Sequence, residues 1–237
     1  MRMGNLVKKQ WLNLVSKLPT LFIGFVLCAL GLLMMRDAGL GMNPWGVFHM
    51  GLTNHTPITF GQATQIVGLV ILVSSVFLGI IPGIGSILNM FFVGFFVDVI
   101  DGLGVINTPN SLMAKLGLLL LGVLVLGWGT YFYLRAQLGA GPRDGLMEGL
   151  VKKLKKPVSI IRGSIEFMAL SIGYLLGGPV GIGTLITATT IGFALQMAFK
   201  VGKYDAKQST HMSCVEFYQL VKATFSQKKP AANINQD

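Results

Sequence analysis

Charge is what this sequence lacks. Only 12% of its 237 residues are Asp, Glu, Lys or Arg, against about 25% in a soluble domain. Hydrophobic residues make up 52% and the mean hydropathy is +0.67. The shortfall excludes an ordinary soluble domain and points to an integral membrane protein. Acidic residues are the scarcest: nine Asp and Glu stand against nineteen Lys and Arg, a net charge of +10. In a soluble chain that surplus would raise nucleic acid as a partner. There is no RNA-binding signature and no basic–aromatic platform, so nucleic acid is set aside and the charge is read as loop charge that sets orientation.

Cysteine is nearly absent. Cys28 lies in the first apolar run and Cys214 in a polar tail; these settings argue against a mutual disulfide, and no metal-ligand spacing exists. Motifs of catalysis are missing too: no nucleophile elbow, Walker loop, paired catalytic carboxylates or zinc motif. Gly83-Ile84-Gly85 follows no strand and is not a dinucleotide fingerprint. The expectation is no enzyme, no cofactor and no metal.

What is present is apolar runs long enough to cross a bilayer, which needs roughly 20 mostly apolar residues. Six are read: 19–35, 58–80, 86–100, 112–134, 159–176 and 184–199. The basic N-terminus runs into the first of them with no small-residue cleavage site, so it is a retained span rather than a signal peptide. Residues 1–18 read as a basic tail on the headgroups, with Trp11 at the interface. Residues 201–237 form a polar tail in which Met212, Val215, Phe217, Leu220, Val221 and Phe225 recur at roughly helical spacing, and its extreme end, 228–237, reads as disordered.

The chain also repeats itself. Gly24 and Gly122 differ by 98, as do Gly31 and Gly129, Leu40 and Leu138, Gly41 and Gly139, Pro44 and Pro142, Gly83 and Gly181, Gly85 and Gly183, and Gly94 and Gly192. One constant offset across ordered, unlike motifs identifies an internal duplication. Residues 19–103 are the first three-span repeat, 104–111 an external loop, and 112–200 the second repeat. Three spans per repeat make the second enter the membrane from the opposite side. The Lys and Arg residues cluster in the two tails and in the loop holding Lys152, Lys153, Lys155 and Lys156, which places both termini in the cytoplasm. The fold class expected is therefore an all-α polytopic membrane protein. It has six transmembrane helices in two inverted three-helix repeats, each with a short helix after its first span.

Each short helix opens on Leu-Gly-x-x-Pro: Leu40 to Pro44, and Leu138 to Pro142. Gly41, Pro44, Gly139, Gly141 and Pro142 read as the turn that starts it, Pro suiting the first helical position. Gly83, Gly85, Gly181 and Gly183 mark tight bends between the second and third spans of each repeat. Such a helix offers free N–H groups at its start, which in transporters face anionic groups; a connector with glycines for close packing is the plainer alternative. Arg143 and Asp144 follow the second turn, where the first has Trp45 and Gly46. Arg143 could meet a carboxylate, a phosphate or a lipid headgroup.

Arg162 and Glu166 lie four apart on one helical face. Glu166 is either locked to Arg162 or a proton or cation site in an aqueous cavity. Asp98 ends the third span, its plainest partner being Arg36. Asn89 and Thr187 are repeat mates that add polarity to the third and sixth spans. His49 is a lone histidine with no second metal partner. The path expected from these residues has Arg143, Asp144, Arg162 and Glu166 lining its inner half, with Asn43, Trp45 and Asp98 toward its outer half.

Leu40-Gly-Met-Asn-Pro-Trp45, Leu138-Gly-Ala-Gly-Pro-Arg-Asp-Gly-Leu-Met147 and Gly177-Gly-Pro-Val-Gly-Ile-Gly-Thr184 resemble the YczE/YyaS/YitT group of bacterial membrane proteins, the YczE branch above all. Arg162 and Glu166 fit that branch as well. The group's first half often has an aspartate after the tryptophan, where this chain has Gly46. The resemblance implies a bacterial inner-membrane protein and carries no molecular activity with it. Two functions stay open: a small secondary transporter with its path at the repeat interface, or a non-transporting scaffold or regulator. The partners expected are the lipid bilayer, a small solute or ion, and a cytoplasmic protein or a second copy of the chain.

Overall fold

The structure is a computed structural model that describes residues 2–204 and 211–227, with side chains for residues 7–204 and 211–225. It is all-helical: among the described residues there are nine helices and no strand. Six are long and apolar enough to cross a membrane. These are α1 (Arg2–Asp37), α3 (Phe60–Phe77), α4 (Ile84–Gly102), α5 (Leu112–Arg135), α7 (Val158–Leu175) and α8 (Ile182–Val201). Two short helices, α2 (Pro44–His55) and α6 (Pro142–Leu154), follow α1 and α5, and α9 (Cys214–Gln227) closes the described chain. The residues 228–237, read above as disordered, lie outside the described part.

The caps explain several of these boundaries. Thr59 and Gln62 form a reciprocal capping box at the start of α3, which satisfies two otherwise orphan donors. The Ser111 side chain caps α5. Pro44 and Pro142 each occupy the first turn of a short helix, where the missing N–H costs nothing.

The N-terminal tail is where the structure corrects the sequence reading. Residues 2–18 are not a separate tail; α1 runs through Pro19 as one helix of 36 residues, about 54 Å long at 1.5 Å per residue. Val7, Trp11, Leu14 and Leu18 recur at intervals of four, three and four and pack into the core. Trp11 meets Phe217 of α9 edge to face and donates from its indole nitrogen to Thr224 Oγ1 at 2.8 Å. That apolar stripe lies beside Lys8, Lys9 and Lys17, whose charge makes the segment read as a polar tail.

Contacts between elements follow the 98-residue offset. The most extensive is between α1 and α5, which are offset mates. Gly24 approaches the Gly129 carbonyl and Gly31 the Gly122 carbonyl, so closely that a Cβ on either would collide with backbone. The order of these pairs makes the two helices antiparallel. Small residues of this kind let membrane helices gain packing that lipid alone does not drive.

The Leu-Gly-x-x-Pro turns dock crosswise. The Leu40 carbonyl accepts from the Gly183 N–H at 2.7 Å, and the Leu138 carbonyl accepts from the Gly85 N–H at 2.7 Å. Gly41 has φ +97° and Gly139 φ +147°, values that a side chain rarely tolerates. Thus each turn is held by the bend of the other half, and Gly83 and Gly181 sit where a Cβ would strike that turn. In the same crossed manner α2 packs on α7 and α6 on α3.

One pair of mates differs. α3 packs along α4, whereas α7 and α8 barely touch.

Candidate functional site

A cavity of about 670 Å³ lies where these elements converge, within the range of small-molecule sites. Its walls come from α1 to α8. Val158, Arg162, Ile165 and Glu166 of α7 bound it on one side, and Thr187, Ala188, Ile191 and Leu195 of α8 on another. It thus occupies the space that the parting of α7 from α8 leaves.

Six of the seven residues expected along a path line it: Glu166, Arg162, Arg143, Asp144, Asn43 and Trp45. The seventh, Asp98, does not. Asn43 and Trp45, expected toward the outer half, share one chamber with Arg143. The Arg143 guanidinium lies 4.5 Å from the Trp45 ring centroid, over its face. These two residues are offset mates, so a cation–π contact joins the first turns of the two short helices within the chamber.

Arg162 donates from Nε to Glu166 Oε1 at 3.2 Å. Their side chains are 51% and 34% exposed, so the pair is not sealed in the core. Of the two roles open to Glu166, the structure has the pair formed and facing the cavity.

Asp98 is a second correction. Its partner is not Arg36. Arg36 holds Asp37 and Asp101, at 2.7 and 2.5 Å. Asp98 instead accepts from Thr59 Oγ1 at 2.6 Å and from the Gly61 N–H at 2.9 Å. It therefore ties the end of α4 to the start of α3. Asp101 lies one turn nearer to Arg36, and sequence distance alone did not separate the two carboxylates.

Other polar groups of the chamber carried little signal. His49 is 1% exposed and lines the cavity; its Nδ1 is 3.1 Å from Thr64 Oγ1, while its Nε2 has no hydrogen-bond partner. Thr64 is the offset mate of Arg162, and the offset alone could have singled it out. Asn89 and Thr187, mates noted for their polarity, both reach the chamber. Asn43 is 5% exposed, and its Oδ1 is engaged as the cap of α2, accepting from the Gly46 N–H at 2.8 Å.

The chain returns to this region after α8. The Met212 N–H donates to the Gln137 carbonyl and the Cys214 N–H to the Pro82 carbonyl, both at 3.0 Å, and His211 lines the cavity. Burial pushes the His211 imidazole below its usual pKa, against the pull of Asp144 and Glu148. No cluster of three metal-ligating side chains exists among the described residues.

Residues 15–200 match a family described as "Family of unknown function (DUF6198)". The chain belongs to that family. It is 34% identical over 188 residues to a Bacillus subtilis protein named "Uncharacterized membrane protein YczE", covering 78% of this chain and 86% of the relative. A Haemophilus influenzae "Uncharacterized protein" is 32% identical over 184 residues, 76% of this chain and 84% of that one. The Bacillus subtilis "Uncharacterized protein YyaS" is 26% identical over 179 residues, 74% and 88%. No solved structure matches the chain. The resemblance drawn from the Leu-Gly-x-x-Pro turns thus holds, and the chain is a membrane protein of this family.

Proposed function

We propose that the protein is a small secondary transporter whose solute path runs through the chamber between its two repeats. The observation that carries this reading is the chamber itself. It brings the starts of both short helices together with Arg143, Asp144, Arg162 and Glu166, ionisable groups that membrane proteins rarely place inside without a functional reason. Inverted repeats with short or broken helices meeting at their interface are a recurrent transporter design. The antiparallel run of the mates α1 and α5 and the crosswise docking of the turns support it.

The lysine-rich segment between α6 and α7 belongs on the cytoplasmic side by the positive-inside rule. The parted ends of α7 and α8 then face the cytoplasm, and the latched ends of α3 and α4 face outward. On this reading the structure is an inward-open state, and transport consists of exchanging which pair is parted.

The test is accessibility from both sides. Asn89→Cys, on the chamber wall, is placed in a background with Cys28→Ala and Cys214→Ala and reconstituted in vesicles of known orientation. A membrane-impermeant thiol reagent should label it from the cytoplasmic face readily and from the outer face more slowly. Labelling from one face alone, under every solute and pH condition applied, would overturn the transport reading.

A further inference from the structure

The two short helices begin differently, and the difference bears on what the chamber takes; this step rests on the reading of the chamber as a solute site. The start of α2 is closed by Asn43. Its mate position in α6 is Gly141, which has no side chain to cap with; Pro142 carries no N–H and the Asp144 N–H already bonds the Gly141 carbonyl at 3.1 Å, so the Arg143 N–H is the donor of that first turn left to a ligand. A helix start of this kind favours anions.

Two further observations point the same way. The Arg143 guanidinium rests by its face on Trp45, and among the described residues no carboxylate or other acceptor bonds its N–H edges. A planar fork fixed by an aromatic ring with its edge free is suited to a carboxylate, which it can grip through two parallel hydrogen bonds. His49, 1% exposed, gives the same chamber a second unpartnered polar atom, Nε2, which donates to an anion in the tautomer whose Nδ1 accepts from Thr64 Oγ1. Its ring centroid lies 6.5 Å from that of Trp45. Arg143 is half-buried, and a bound anion offsets the cost of withdrawing its charge from water without a partner.

The rest of the wall selects among anions. Leu32, Val67, Ile71, Val93, Leu126 and Ile191 present apolar surface. Asp144 and Glu166 line the chamber too, so a second negative charge on the ligand would meet carboxylates. We infer that the chamber binds a small organic monocarboxylate, its carboxylate on the Arg143 edge at the start of α6 and its apolar body along the aliphatic wall.

The experiment uses the full chain in detergent with Trp11→Phe and Trp128→Phe, which leaves Trp45 as the only tryptophan. Benzoate should change Trp45 emission saturably, and benzylammonium, the same ring with the opposite charge, should not. Arg143→Gln should weaken benzoate binding about tenfold or more, the loss expected for hydrogen bonds to a charged group. Arg143→Lys keeps the charge, guards against a folding defect, and should fall between the two. An equal response to benzylammonium, or a benzoate response that survives Arg143→Gln, overturns the assignment. So does a response confined to inorganic phosphate or to added phosphatidylglycerol, which would make the site one for phosphate or for lipid headgroups. Two-sided labelling of Asn89→Cys without benzoate binding overturns the carboxylate and leaves the path. Benzoate binding with one-sided labelling keeps the site and removes the path.

Discussion

α3 and α4 form one packed unit, while α7 and α8, built on the same frame 98 residues later, stand apart. The residues at matching positions account for the difference. Gly61 and Gly94 let the first pair close until each would bury a Cβ in the other's backbone. Gln65 donates to the Phe91 carbonyl at 2.8 Å, and Asp98 ties α4 to Thr59 and Gly61. At the mates of these positions stand Ser159, Gly192, Gly163 and Gln196. A Cβ on Gly163 or Gly192 would meet no described atom within 4 Å. Arg162 and Glu166 replace Thr64 and Gly68 on the same face. One arm has thus kept the residues that make a seam, and the other has exchanged them for charge.

The largest effect should come from forcing the seam. Gly94→Leu sets a branched side chain against the Gly61 carbonyl, and overpacking of this kind costs about 3 kcal/mol or more where the backbone must shift. Gly192→Leu, its mate, should change stability by less than about 0.5 kcal/mol, as a substitution away from packed contacts does. Thermal unfolding of the two variants in detergent measures the contrast. Equal costs would mean that α7 and α8 are packed together in the working protein, and the comparison would collapse.

Cutting the latch comes next. Asp98→Ala removes a carboxylate that accepts two hydrogen bonds, a loss of about 2 kcal/mol for bonds to a charged group. If this latch holds the outer ends shut, the variant should also raise outer-face labelling of Asn89→Cys. Gln196→Ala, at the mate position, should leave both readings unchanged. A destabilised Asp98→Ala whose labelling stays as before would make Asp98 a structural tie and not a gate.

Much of this frame was legible in the sequence. The six apolar runs correspond to the six long apolar helices, and each Leu-Gly-x-x-Pro turn opens a short helix. The crosswise docking of Leu40 on Gly183 and of Leu138 on Gly85 was not legible, since an offset relates like residues and says nothing of which half each one touches. The gathering of Trp45 with Arg143 was hidden for the same reason. Their difference read as divergence, whereas it is the contact. Asp98 reads as the partner of Arg36 because both belong to span ends on one side of the membrane, and it is Asp101, one turn further along, that reaches Arg36. The stripe Val7, Trp11, Leu14, Leu18 had the right period and was masked by Lys8, Lys9 and Lys17 beside it.

The smallest effect on stability should come from the charged arm, and there the contrast is sharpest in kind. An exposed pair four residues apart on a helix contributes about 0.3–0.5 kcal/mol, and Arg162 and Glu166 are such a pair by exposure and spacing. Glu166→Gln should therefore unfold at nearly the wild-type temperature. If the chamber is a solute path, the same variant should lose far more function than stability, because the group removed faces the chamber and supports no packing. The measurement is a paired one: thermal unfolding together with uptake of a labelled carboxylate into vesicles, for Glu166→Gln and for Arg162→Gln. Two stable variants with unimpaired uptake would reduce the pair to wall charge. A stability loss near that of Asp98→Ala would mean that α7 is held by this pair as α4 is held by Asp98, and the two arms would then be latched alike.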